Sequence, residues 1–206
     1  MKHNREKRYY EYLAKMVLET FISTDFAEIT LQEQPDLLNF DGRGIEVTRA
    51  MFYGDGESTG LFRRVRGKTI EEANPRDIER YEQLNTELLY YNGRIEGMCP
   101  EAQWCTIKEL QNAFIKKIGK LGMYVSNVSL FIFAPSFDWY EREMIQEFTE
   151  WAIEKQQGLS HAYTHAFVFQ STGLFICDLI DNSVELISTD KEIVRRCCEN
   201  ALVYAG

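Results

Sequence analysis

Residues 35–49, Pro-Asp-Leu-Leu-Asn-Phe-Asp-Gly-Arg-Gly-Ile-Glu-Val-Thr-Arg, constrain this chain more than any other stretch. Asp41-Gly42 is a hairpin signal, because both residue types tolerate the positive φ that a tight turn between twisted strands needs. The segment therefore predicts two short strands, 35–40 and 44–53, joined across residues 41–44. Each carries one acid among apolar neighbours, Asp36 on the first and Glu46 on the second. Two acids converging from adjacent strands point to a cation between them, since a buried carboxylate is costly unless paired or ion-bound. The blander reading makes Pro-Asp a turn dipeptide and turns Glu46 to solvent. Ile45, Val47, Ala50, Met51 and Phe52 weigh against it, because they mark a strand buried on both faces.

The remaining pattern supplies support for such a strand pair. Residues 4–22 predict an amphipathic helix with Tyr9, Leu13, Met16, Val17, Thr20 and Phe21 on one stripe. Glu6 extends that stripe backwards, while Glu11 falls on the opposite side. An acid in a first turn is also favoured by the helix dipole alone. Residues 26–33 predict a further strand. Residues 54–74 look like a loop, with Gly54, Gly56 and Gly60 followed by a basic run, Arg63, Arg64, Arg66 and Lys68. Asn74-Pro75 opens a helix expected to run through Tyr91, and 92–105 look irregular. Thr106 and Glu109 form a capping box for a helix ending near Leu121, with Gly122 after it. Its stripe is Ile107, Leu110, Phe114, Ile118 and Leu121; Lys117 borders the stripe and Lys116 points away. Residues 128–134 are nearly all apolar, as a doubly buried strand requires. A helix over 137–157, strands over 162–170, 174–179 and 183–188, and a closing helix over 190–204 complete the chain. The expected architecture is one α/β domain over residues 1–206, a mixed central sheet with helices on both faces in three layers, and a basic loop insertion at 54–74.

Composition enters as a filter. The formal net charge of −9 over 206 residues excludes a general nucleic-acid coat, which needs Lys and Arg in excess. It leaves room for basic residues gathered on one face. The N-terminal region lacks the apolar run of a secretory signal, and no apolar stretch approaches the roughly 20 residues of a membrane span, so a cytoplasmic protein with no membrane partner is expected. Five cysteines without a Cys-x-x-Cys pair read as reduced, mostly buried thiols. His161 and His165 read as structural, and Tyr90-Tyr91 and Trp139-Tyr140 as core or helix-edge aromatics.

Helix, then Pro35-Asp36 on a strand, then Gly44-Ile45-Glu46-Val47-Thr48 on the next, resembles the PD-(D/E)XK nuclease-like superfamily. The resemblance covers about two-thirds of the chain in element order and is specific only over these two short motifs. It implies a restriction-endonuclease-like core and phosphodiester hydrolysis, with DNA ahead of RNA as substrate and a homodimer left open as an assembly. It also implies Mg²⁺ or Mn²⁺ held by Asp36, Glu46 and the carbonyl of Val47, with Glu6 completing the site and Glu11 as the alternative. The oxygen-rich donor set suits such hard ions independently of the name. The family's lysine, two residues after the second acid, is replaced here by Thr48, which has a hydroxyl but no charge. Arg49 alternates to the other face. The resemblance permits a migrated lysine, and Lys117 is the candidate; otherwise Lys117 snorkels to solvent. Arg63, Arg64, Arg66 and Lys68 would then track a phosphate backbone, or form a solvated loop. The alternative function is a nuclease fold without catalysis, acting as a protein- or nucleic-acid-binding module.

Overall fold

The structure, a computed structural model, describes residues 2–32, 35–39, 42–52, 54–84, 86–100, 106–119, 127–134, 140–170 and 172–206. In chain order the elements are α1 (Lys2–Phe21), β1 (Thr30–Leu31), β2 (Leu37–Leu38), β3 (Gly44–Arg49), α2 (Asp55–Val65), α3 (Pro75–Gln83), β4 (Thr86–Tyr91), β5 (Arg94–Pro100), α4 (Ile107–Ile118), β6 (Val128–Phe133), α5 (Arg142–Lys155), β7 (Tyr163–Gln170), β8 (Gly173–Asp178), β9 (Ser183–Ser188) and α6 (Lys191–Tyr204). The chain separates into two compact units: Met1–Ala50 with Cys105–Gly206, and the inserted Met51–Trp104. Asp41, Tyr53, Cys105, Leu121, Gly122 and Trp139, used in the sequence reading, lie outside the described residues.

The larger unit is α/β. Its mixed seven-stranded sheet has the order β1-β2-β3-β6-β7-β8-β9. The central strands β3, β6 and β7 run parallel, and the pairs at both edges are antiparallel. Strand β6 shows why the sheet is buried on both sides. Leu130 and Ile132 join a core with Leu110 and Phe114 of α4 and Ile145 and Phe148 of α5. Phe131 and Phe133, turned the other way by strand alternation, join Leu13, Val17 and Leu18 of α1 and Ala201 of α6. Caps set the helix starts. Thr106 Oγ1 accepts from Lys108 N at 3.2 Å while Glu109 Oε2 accepts from Thr106 N at 3.0 Å, satisfying donors that the first turn of α4 leaves orphaned. Asp190 does the same for α6. Cys177 and Cys197 are buried thiols, and burial pushes Cys177 up to about 12. Among the described residues no helix is long and apolar enough to cross a membrane.

The inserted unit corrects three expectations. Residues 54–74 are not a loop throughout: Asp55–Val65 is helical, since Leu61 and Val65 bury against Ala73, Tyr81 and Ile95 and outweigh the weak propensity of Gly56 and Gly60, while residues 66–74 are turns and coil. The helix from Pro75 stops at Gln83 rather than Tyr91, and residues 92–105 are not irregular throughout. Strands β4 and β5 pair antiparallel through the two-residue turn Asn92-Gly93, whose φ values of 50° and 74° are those a tight hairpin demands. Tyr90 and Tyr91 are accordingly exposed on β4 rather than buried. In the larger unit, residues 26–33 form a short 3-10 turn, Thr24–Glu28, and the two residues of β1 instead of one strand. Ser23 starts that turn by accepting from Asp25 N at 3.1 Å.

Candidate functional site

Backbone direction along β3 builds the site. Gly44 N and Ala50 N donate to Asn127 O and Phe133 O, so even-numbered residues bond toward β6. Odd-numbered ones turn to the opposite edge, where β2 pairs only as far as Leu37 opposite Ile45. Beyond that point the ladder has a notch. Asp36 fills it: its Oδ2 accepts from Val47 N at 2.9 Å, in place of a strand carbonyl. In a strand the N–H and C=O of one residue share an edge, so the Val47 carbonyl faces the notch as well. Pro35 packs over Gly44, where an added Cβ would stand 2.6 Å from Pro35 Cγ. A side chain there would displace Pro35 and the acid beside it.

Side chains converge on the notch from both helical layers. Glu46 projects toward α4, and buried Lys117 on that helix donates through Nζ to Asp36 Oδ2 at 2.9 Å and also to Glu46 Oε2. From α1, Lys7 Nζ lies 3.1 Å from Asp36 Oδ1 and 3.1 Å from Glu11 Oε1. Three buried carboxylates thus share the buried ammonium of Lys117 and, at the solvent side, the half-exposed one of Lys7. Desolvation opposes the charge on Asp36, but the Lys117 ammonium, the Val47 N–H and Lys7 together hold its carboxyl below the usual carboxylate range. Glu11 goes the other way: burial raises it, and the neighbouring Asp36 carboxylate adds to burial against the pull of Lys7. Lys7 loses solvent too, yet its two acids hold its ammonium above the ordinary lysine value.

Of the residues singled out by sequence, Asp36, Glu46 and Lys117 come together. Thr48 is buried on the Glu46 side of β3, two residues along. Glu6 does not join them: it pairs with Arg49 Nη1 at 3.0 Å, half exposed, while the Arg49 guanidinium covers the Tyr10 ring at 4.5 Å. Glu11 takes the inward place. The buried stripe of α1 is Leu13, Ala14, Val17 and Leu18, and Lys7, Glu11, Ala14 and Leu18 follow one helical row. A wheel phased on Tyr9, Met16 and Phe21 is rotated away from that row. Lys7 was missed for the same reason; its i,i+4 spacing from Glu11 was the available signal. Lys117 is buried against acids rather than snorkelling, whereas Lys116 is exposed. In the inserted unit, Arg63, Arg64, Arg66 and Lys68 are exposed; Arg64 is engaged bidentately by Asp77 at 3.1 and 2.8 Å, and Arg66 lies 3.7 Å from Glu96.

Among the described residues, no group of three or more His, Cys, Asp and Glu side chains is arranged to hold a metal ion. Mg²⁺ does not need three: it binds through one or two carboxylates and keeps waters or substrate oxygens. The buried Oε1 of Glu46 makes no hydrogen bond, an unmet acceptor beside Asp36 and on a hard donor set. Oxygen donors of this kind are the ones a hard ion takes, and Lys117 and Lys7 lie against three of the four carboxylate oxygens of Asp36 and Glu46. Fold and site together define an α/β protein with a buried acid–lysine cluster in a notch of its sheet. The chain matches no protein-family model, no curated protein and no solved structure.

Proposed function

We propose that this chain is a metal-dependent nuclease with a restriction-endonuclease-like core, hydrolysing phosphodiester bonds in DNA. One observation carries the reading. Lys117 lies 81 and 71 residues along the chain from Asp36 and Glu46, yet its ammonium donates to both. A charge replaced by Thr48 in the strand is thereby supplied from the helix behind it. Asp36, the free oxygen of Glu46 and the Val47 carbonyl would hold Mg²⁺ or Mn²⁺. Bound there, the ion would polarise the phosphodiester and lower the pKa of a bound water.

The chain's own residues do the rest. Lys117, fixed by two carboxylates, presents its charge where the attacked phosphate becomes more negative, and needs no reorganisation to do so. Lys7 neutralises the outer oxygen of Asp36 and orients it. Glu11, whose carboxyl is raised by burial, holds a proton more readily than an exposed glutamate does. Arg63, Arg64, Arg66 and Lys68 are the residues proposed to follow the phosphate backbone, with a homodimer and a cytoplasmic setting as further parts of the proposal.

A second reading has its own support: Lys7 and Lys117 already neutralise Asp36 without any ion. On that reading the cluster is a structural plug, and the protein is a nuclease-fold binding module. The test is cleavage of supercoiled plasmid and single-stranded DNA in Mn²⁺ by wild type, Asp36→Ala, Glu46→Ala and Lys117→Met. The nuclease reading expects cleavage that falls at least about a hundredfold in each variant. Equal cleavage by all four would mark a contaminant, and no cleavage by wild type would leave the module, read next by DNA gel shift.

A further inference from the structure

Arg49 ends β3, two residues beyond Val47, and takes no part in the acid–lysine cluster. Ile45 and Val47 turn their side chains to the α1 side of the sheet, and strand alternation sends Arg49 the same way. Lys7 of α1 meets Asp36 Oδ1, and its chain neighbour Glu6 meets Arg49. One turn of α1 thus touches both the notch and the arginine beside it.

The guanidinium is fixed through one nitrogen and one flat face. Nη1 donates to Tyr10 Oη at 3.2 Å and lies 3.0 Å from Glu6 Oε1. Cζ stands 4.5 Å from the centre of the Tyr10 ring. That ring is held edge-on by Tyr9 and by Phe133 of the buried core, each with centroids 5.1 Å away. A guanidinium only donates, so the direction of these bonds follows from the heavy atoms alone. Among the described residues, Nε and Nη2 of Arg49 have no partner. Those two nitrogens form the edge whose parallel N–H groups match a pair of oxygens on a phosphate or carboxylate. Arg64, Arg80 and Arg195 each spend that edge on a carboxylate of the chain. Arg49 keeps it open, on a side chain 35% exposed.

We propose that Arg49 binds a backbone phosphate of DNA through its Nε–Nη2 edge, next to the phosphodiester held at the notch. The choice of a phosphate over a carboxylate rests on the nuclease reading. A strand rises about 3.3 Å per residue, so the Arg49 backbone lies roughly 7 Å from that of Val47, whose N–H holds Asp36. A single nucleic-acid strand is long enough to reach both. Glu6 and Tyr10 act as positioning residues: they orient the guanidinium from the nitrogen and face that the phosphate leaves free. An arginine already oriented loses less freedom on binding than a mobile one.

The test separates binding from cleavage. A fluorescein-labelled DNA duplex is titrated with the full chain in EDTA, by anisotropy over a series of salt concentrations. Cleavage of plasmid in Mn²⁺ is followed in parallel. Arg49→Gln should weaken binding roughly tenfold and lower the slope of log K against log salt by about one. Arg49→Lys should restore the slope without the affinity, since an ammonium keeps the charge and lacks the paired donors. In cleavage, Arg49→Gln should raise KM and leave kcat nearly unchanged. No DNA binding by wild type, or full affinity in Arg49→Lys, would overturn the proposal. So would a loss of stability in urea for Arg49→Gln with its affinity unchanged, because Arg49 would then only tie α1 to β3. Binding that depends on Arg49, with no cleavage by wild type, would remove the nuclease and keep the phosphate contact. Cleavage by wild type with an unchanged Kd and KM in Arg49→Gln would do the reverse.

Discussion

The two ends of β3 handle buried polarity in opposite ways. Its first residues, Gly44 and Ile45, line a cavity whose walls mix apolar side chains with Ser23, Asp25, Asn39, Arg43 and Asn127. Its middle residues, Glu46 and Val47, line a notch where full charges are crowded and balanced by ammoniums from α1 and α4. The cavity is assembled from many small contributions, so removing one leaves the others in place. The notch consists of mutual dependence, so removing one partner strands the others in a medium that does not solvate them.

The sharpest way to break this contrast is Lys117→Met. It leaves Asp36 and Glu46 buried without their shared donor, and a loss of about 3–5 kcal/mol in urea unfolding is expected. Adding Asp36→Asn and Glu46→Gln to the same variant should recover part of that loss, since the stranded charges go with it. Gly44→Ala comes next, because it strikes both ends at once. Its Cβ would meet Pro35 at 2.6 Å, with an expected cost of about 1–3 kcal/mol in urea unfolding. Unchanged stability of Gly44→Ala would show that Pro35 yields without disturbing the acid beside it. Ile45→Val should cost less, about 0.5–1.5 kcal/mol, without altering the pH dependence of stability.

The smallest effect is electrostatic and has a definite sign. Asp36 is lowered in the fold, so its contribution is present above the ordinary carboxylate range and is lost as pH falls through the folded value. Glu11 is raised, so its contribution is present at acid pH and declines as pH rises past the ordinary glutamate value. Glu11→Gln should therefore flatten the decline of stability on the way to neutrality and leave the acid limb, set by Asp36, in place. Urea melts at a series of pH values measure both. A Glu11→Gln variant with an unaltered decline would show that Glu11 ionises without penalty.

What the sequence made legible follows from which forces it writes locally. Helix α4 could be read from its capping box and stripe, and with it the edge position of Lys117. Strand β6 could be read from its nearly all-apolar run. Asp36 and Glu46 stood out because each lay among apolar residues. Glu11 and Lys7 were misplaced or missed because Glu11 buries against charges and Lys7 reaches over it from the solvent side, and an apolar stripe carries no record of either. The inserted unit was obscured by glycines in a helix whose stability comes from Leu61 and Val65 packing on distant residues. Its hairpin was written plainly in Asn92-Gly93, but the helical expectation for 75–91 ran over the strand before it. The bulge that sets Ser129 opposite both Thr164 and His165 depends on the register between β6 and β7, which neither strand states alone.

The inserted unit carries one more consequence, for how the chain can change length. Met51–Trp104 is spliced between Glu46 and Lys117, two partners of one cluster. Closing a loop grows only logarithmically harder with its length, about 0.6 kcal/mol for each doubling. The acids and their lysine are therefore nearly indifferent to how much chain lies between them. That interval is the place where residues can be gained or lost at the smallest thermodynamic penalty to the notch.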